Sequence, residues 1–448
     1  MAAGGWHEEA ASMISVDEEL LAKLGALWRI PPPGPDNLLS APEFISLSKL
    51  IAQRTGNTAT FALSNALRSL GLPCGLPAGH RVQALDLPTV ADMLVKAFSR
   101  SSITRRHLCP LDLADDLPLM TFGQARVARF SAAQLYDLFD WPRLSRYFPT
   151  LTSGAERLSE FQWLVVEEEV PVRTNPEARA FPFLDMDISR DLGEIEPHRG
   201  RFPQAVEDAL FFLLLAPWED WSTLNEVDWR GFRVPWIYTL DDDLFVSPTR
   251  PPSAETLSYE PRTYTDNRGE VIEIERPIVL PLDNAATEGL QWVNDTAWKQ
   301  VQAARATSLF ETPVVHFLVR AFLASGIDEF IAHLTVIEAA LGLESDYKRK
   351  LRPNTDPCPR LSATQRVAVR LRAAVGEGKA ERDYMNLFDL RSAFIHGRSG
   401  VQCISTKQRV LARSLARRAA CALVRLSRQP EVAREQVLSD LLGSPRQA

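Results

Sequence analysis

The sequence predicts a multidomain chain: a mainly helical N-terminal region, a mixed α/β middle region and an all-α C-terminal bundle. Three observations carry this expectation. At 448 residues the chain exceeds one ordinary compact domain. Runs rich in β-branched and aromatic residues, with seven of the ten tryptophans, fall between residues 161 and 300. After residue 311, apolar residues recur at spacings of three and four with no strand pattern between them. The boundaries expected are 1–150, 151–304 and 305–448.

The N-terminal region is helical by its apolar spacing. Leu20, Leu24 and Leu27 give a helix over 1–30, stopped by Pro31-Pro32-Pro33-Gly34-Pro35. Phe44, Leu47, Leu50 and Ile51, then Phe61, Leu63, Leu67 and Leu70, continue the helical pattern over 43–71, and another helix covers Thr89 to Arg100. Pro110, Pro118, Pro142 and Pro149 break the pattern beyond Arg100 into short pieces, so 36–150 reads as mainly helical with irregular connections. Strands are expected at Phe161–Val166, Phe232–Leu240 and Val271–Leu280. Trp218, Trp221, Trp229 and Trp236 read either as bulky core or as a base-stacking platform. Helices are then expected at 313–325, 327–343, 361–375, 382–396, 404–428 and 430–442. Ser362 caps the third and Gly397 ends the fourth.

Composition excludes several classes. Hydrophobic residues at 45% and charged residues at 24% are those of a globular chain, and no apolar run approaches the roughly 18 residues of a membrane span. Glu8, Glu9, Asp17, Glu18 and Glu19 leave no basic-then-apolar leader in the first 30 residues. Cys74, Cys109, Cys358, Cys403 and Cys421 are scattered, which fits free thiols and a cytoplasmic location. No phosphate loop, dinucleotide fingerprint or metal-ligand spacing is present, so no cofactor and no metal are expected. Glu167-Glu168-Glu169 and Asp241-Asp242-Asp243 read as solvated runs or as counter-charge to the basic end of the chain rather than as a Mg²⁺ site. Residues 1–310 hold 28 Lys and Arg against 43 Asp and Glu, whereas 311–448 hold 22 against 14. An acidic part joined to a basic part points to RNA or DNA as a partner of the basic part, or to contact between the two.

The best candidates for chemistry are Arg391 and His396, five residues apart near the end of one helix. Imidazole moves protons near neutral pH, and guanidinium holds phosphate. RNA supplies its own nucleophile, the 2′-hydroxyl. A base, a cation and good alignment therefore suffice to cut it without metal, leaving a 2′,3′-cyclic phosphate and a 5′-hydroxyl. His396 would act as general acid or base, Arg391 would stabilise the phosphorane, and Arg398 would hold a neighbouring phosphate. Asp389 would orient an imidazole or guanidinium. The same residues also suit a plain helix terminus: histidine before glycine is a good finisher, and arginine a turn earlier suits a surface ion pair.

The string Asn386-Leu387-Phe388-Asp389-Leu390-Arg391-Ser392-Ala393-Phe394-Ile395-His396-Gly397-Arg398 resembles the signature of the HEPN domain superfamily, most closely its ApeA-like branch. Val319–Phe322, Ile327–Ile331, Thr335–Leu341 and Ala368–Ala374 resemble that branch's earlier helices, and the likeness covers about 305–430. The resemblance implies a HEPN-like helical bundle that dimerises, and metal-independent endoribonuclease activity of the kind found in toxins, phage defence and RNA surveillance. It places Arg391 and His396 as active residues and Glu338 and Arg370 as structural or supporting ones. The chain departs from many active relatives inside the motif: Ser392 is polar, but Ala393, Phe394 and Ile395 are not. The alternative is a non-catalytic RNA-binding or protein-interaction adaptor.

Lys407, Arg409, Arg413, Arg417, Arg418, Arg425 and Arg428 make the next helix basic and amphipathic. Arg409, Arg413 and Arg417 are expected either to line an RNA groove or to pair within the molecule, and the helix lacks the aromatic anchors of a membrane-bound one. The acidic N-terminal region is expected to restrain the nuclease or to sense a trigger, by analogy alone.

Overall fold

The computed structural model describes residues 15–32, 34, 37–181, 183, 191, 193, 194, 200, 202–397, 403–428 and 433–443. Helices α1 (Glu18–Trp28), α2 (Pro42–Thr55), α3 (Thr60–Ser69) and α4 (Leu87–Ser99) form the N-terminal helical region. Asp17 and Asp86 cap α1 and α4, and Gly56, at φ +69°, ends α2. Their apolar stripes close on one another and on Phe245, making a core separate from the rest of the molecule.

A five-stranded antiparallel sheet comes next, in the order β2-β3-β4-β1-β5. Its strands are β1 (Ser102–Leu111), β2 (Met120–Phe122), β3 (Ala125–Arg129), β4 (Gln162–Pro171) and β5 (Tyr238–Asp241). The expected strands near 161 and 271 are present, whereas of 232–240 only the end is strand. Residues 36–150 are not simply helical: β1, β2 and β3 lie there, so the sheet draws strands from both sides of residue 150. The reason is physical. β1 reads Ser-Ile-Thr-Arg-Arg-His-Leu-Cys-Pro-Leu, a poor strand former alone, but its charges are matched across the sheet. Arg105 Nε lies 2.7 Å from Asp241, and Arg106 Nε lies 2.6 Å from Glu167. The acidic runs are therefore paired locally and do not counter the basic end of the chain; Arg179 also holds Asp243 through two N–H groups at 2.8 and 2.9 Å.

Successive side chains of a strand point to opposite faces. In β4, Trp163 and Val165 enter one core, with Leu108, Phe139 and Tyr238. Leu164 and Val166 enter another, with Cys109, Phe122 and Val127. Both faces are covered, which is why this stretch reads as a continuous apolar run. The strands β6 (Tyr259–Thr265) and β7 (Val271–Pro277) form a separate, largely exposed hairpin.

The second core continues into helices α5 (Gln204–Leu214) and α6 (Asp295–Arg305), then α7 (Val314–Leu323), α8 (Gly326–Leu341), α9 (Ala363–Val375), α10 (Gly378–Ile395), α11 (Thr406–Leu426) and α12 (Arg434–Gly443). The six helical stretches expected after 312 fall on α7–α12. Ser362 with Gln365 and Ser405 with Gln408 form capping boxes at the starts of α9 and α11. Alanines 412, 416, 419, 420 and 422 are buried and let α11 pack closely within the bundle. Arg434 reaches from α12 to the open carbonyls at the end of α8, at 2.7 Å from Ala339 O and 3.0 Å from Ala340 O. α5 is apolar on nearly every side because it lies inside this core against α7, so the helical bundle shares its interior with residues before 305. Trp218, Trp221 and Trp229 are buried there, and Trp236 packs on Trp163 at 5.7 Å, so the tryptophan cluster is core and no stacking platform.

Candidate functional site

In α10, Ala380, Tyr384 and Leu387 are buried at spacings of four and three, which fixes the inward face of the helix. Arg391 is four residues on, at the last position of that stripe. Its guanidinium is thereby drawn against α8, where Nη1 donates to Glu338 Oε1 at 3.2 Å, and it lies 5.5 Å from the ring of Phe388. Both side chains of the pair keep about a quarter of their surface open, at 24% for Arg391 and 23% for Glu338. Burial pushes the Glu338 carboxyl above the usual range, and the Arg391 charge opposes that push. Phe394 is 44% exposed, because α10 here overruns the end of the bundle, and Ile395 beside it is 51% exposed.

His396 terminates α10. Its backbone N–H donates to Ser392 O at 3.0 Å, and Gly397 is next at φ +58°. The imidazole is exposed and hydrogen-bonds to no described residue. Five helical residues separate two side chains by about 140° and about 7.5 Å. Arg391 accordingly faces α8 while His396 looks to solvent at the helix end. Both remain reachable, and neither is sealed in an apolar core. Asp389 is exposed on the outer side of α10 and forms no ion pair among the described residues. Ser392 is half-buried. Arg398 lies outside the described residues.

The supporting positions divide. Glu338 meets Arg391 directly. Arg370 is fully buried and takes no part in the site: it grips Asp346 through Nη1 at 2.5 Å and Nη2 at 3.0 Å, and donates to Leu341 O and Leu438 O. Arg366 adds a third contact to Asp346 at 2.7 Å and joins Asp356. This network ties the connection after α8 to α9 and α12.

The basic face of α11, expected either to line an RNA groove or to pair within the molecule, makes internal pairs. Arg413 is fully buried, with Nη2 2.7 Å from Leu214 O, Nε 3.5 Å from Glu219, and its guanidinium 4.8 Å from the Trp229 ring centre. Burial lowers Arg413 to about 10, which leaves it charged at neutral pH. Arg417 Nε lies 2.7 Å from Glu219, and its Nη2 3.3 Å from Asp220. Arg409 Nη2 lies 2.6 Å from Glu329. All three arginines lie against carboxylates, two of which belong to the segment after α5. The intramolecular alternative for this helix is the one the structure adopts.

Two features escaped the sequence reading. Tyr384 is fully buried and its hydroxyl has no hydrogen-bond partner among the described residues; burial, then the neighbouring Glu338 charge, pushes it upward. Its signal was the seven-residue spacing to Arg391. His333 on α8 is fully buried with both ring nitrogens unpaired among the described residues, and burial with nearby Arg413, Arg230 and Arg409 holds it well below the usual imidazole range. Its ring packs edge-on to Trp229 at 5.5 Å. Among the described residues no group of three or more His, Cys, Asp or Glu is placed to hold a metal ion, and no helix is long and apolar enough to cross a membrane. No family model, no curated protein and no solved structure matches this chain.

Proposed function

We propose that the chain is a metal-independent endoribonuclease, a regulated toxin or phage-defence effector of the HEPN type, with Arg391 and His396 as its active residues. The observation that carries this reading is that one helix end presents a solvent-open imidazole and, five residues earlier, a guanidinium with a quarter of its surface free. His396 moves the proton of the 2′-hydroxyl or of the leaving 5′-oxygen. Arg391 meets the charge that grows on the phosphoryl oxygens. In a single copy the two groups diverge around the helix, so a homodimer that juxtaposes two helix ends is part of the proposal. The exposed Phe394 and Ile395 offer apolar surface next to the site for that purpose. The cytoplasm is the location proposed.

The test is incubation of the purified chain with tRNA and structured RNA in EDTA. Cleavage to 2′,3′-cyclic phosphate ends is expected, with a loss of about 10²–10⁴-fold in His396→Ala at unchanged thermal stability. Equal cutting by that variant overturns the assignment. The internal engagement of Arg409, Arg413 and Arg417 favours a second reading, a non-catalytic HEPN-type adaptor. Binding of RNA or a protein that survives His396→Ala, with no cleavage, selects it.

A further inference from the structure

Arg391 is the only group of the proposed pair that already has a polar partner, and that partner is an acid. The contact is one-pronged: Nη1 reaches Glu338 Oε1 at 3.2 Å, longer than the roughly 2.7–2.9 Å usual for a charge-assisted N–H···O bond. Nε of Arg391 is buried with no hydrogen-bond partner among the described residues. A bidentate grip is available to arginine in this same bundle, since Arg370 holds Asp346 with two N–H groups. The Arg391–Glu338 pair is therefore loosely made and partly open to solvent, whereas the structural pair is tight and sealed.

The surroundings of Glu338 point the same way. It lies on α8, facing α10 and the short helix Glu344–Tyr347, so that Arg391, Tyr384 and Tyr347 all sense its charge. The Tyr384 hydroxyl is buried with no acceptor among the described residues. A carboxylate so placed has one strong cation beside it and, among the described residues, no second donor to compensate when that cation leaves.

We infer that Glu338 is a positioning residue that acts through Arg391: it holds the guanidinium as a resident counter-anion, and a phosphate must displace it to be bound. This rests on reading Arg391 as the phosphate-binding group. A carboxylate and a phosphate compete for the same donors, so the acid lowers the affinity of the resting site for anions and keeps Arg391 aligned along the inward face of α10 until one arrives.

The experiment measures binding of two probes to the full-length chain. One is a fluorescent RNA with 2′-O-methyl groups throughout, which cannot be cut; the other is inorganic phosphate, followed by calorimetry. Wild type, Glu338→Gln, Arg391→Ala and the double variant are compared. Glu338→Gln is expected to bind both probes about fivefold more tightly, and this gain is expected to vanish in the Arg391→Ala background. Glu338→Asp, which keeps the charge, is expected to bind as wild type does and guards against a folding artefact. No gain with either probe, or an equal gain without Arg391, overturns the inference. A gain that depends on Arg391 in a protein that cuts no RNA upholds the displacement while removing the nuclease reading.

Discussion

The guanidinium of Arg413 lies 4.8 Å from the centre of the Trp229 ring, and neither residue is more than 1% exposed. Arg230 lies at the same distance from that ring, and Trp229 Nε1 donates to Glu329 at 2.6 Å. One indole thus joins the segment after α5 to α8 and α11. Trp229→Ala is expected to destabilise the chain by about 3–5 kcal/mol. Urea unfolding tracked by tryptophan fluorescence and far-UV circular dichroism checks it; a loss below about 1 kcal/mol contradicts the role given to this contact.

The shared core makes a second prediction. A fragment of residues 305–448 leaves behind α5, Trp218 and Trp229, all buried against the bundle. It is expected to be aggregated or poorly folded, with rapid proteolysis, where the full chain resists. Cooperative thermal unfolding of that fragment would show that the helices after 305 are self-sufficient.

His333 gives a signed pH dependence. Its folded pKa lies well below the ordinary 6.5, so the folded state keeps it neutral while the unfolded chain takes up a proton. Stability is full above about pH 6.5 and falls as the pH drops below it, by up to about 1.4 kcal/mol per pH unit from this group. His333→Leu is expected to flatten the fall between pH 6.5 and 5. Parallel denaturation curves of the two proteins across that range would refute this.

Asp346 and Glu338 contrast in cost. Asp346→Asn strips the charge facing two buried guanidiniums, Arg366 and Arg370, and is expected to cost about 3–5 kcal/mol. Glu338→Gln, at a long and partly open contact, is expected to cost less than about 1 kcal/mol. Similar losses in the two variants, read from thermal and urea midpoints, would contradict the distinction.

Gly397 sits at φ +58°, and a Cβ there would meet nothing within 4 Å. Gly397→Ala is therefore expected to cost about 1–2 kcal/mol from backbone conformation alone. Because this glycine turns the chain directly after His396, RNA cleavage is expected to fall more than thermal stability does. Unchanged cleavage would separate the turn from the site.

The bundle was legible because its signals are local. Periodicity, Ser362 and Gly397 all act within one or two turns of the helices they start or stop. β1 was hidden because its stability comes from Glu167 and Asp241, which lie 61 and 136 residues away from Arg106 and Arg105. The destination of the α11 arginines was hidden for the same reason: Glu219 is 198 residues from Arg417. At the site, the placement of Arg391 and His396 on one helix end was readable from the sequence. The partner of Arg391, the seclusion of Tyr384 and the exposure of Phe394 depend on where the bundle ends, which helical spacing does not encode.

β4 delivers Trp163 and Val165 to one interior and Leu164 and Val166 to the other. Inserting or deleting a single amino acid ahead of it would send each set to the wrong side at once. The two interiors would then fail together, so this short strand couples two cores that otherwise have separate packing.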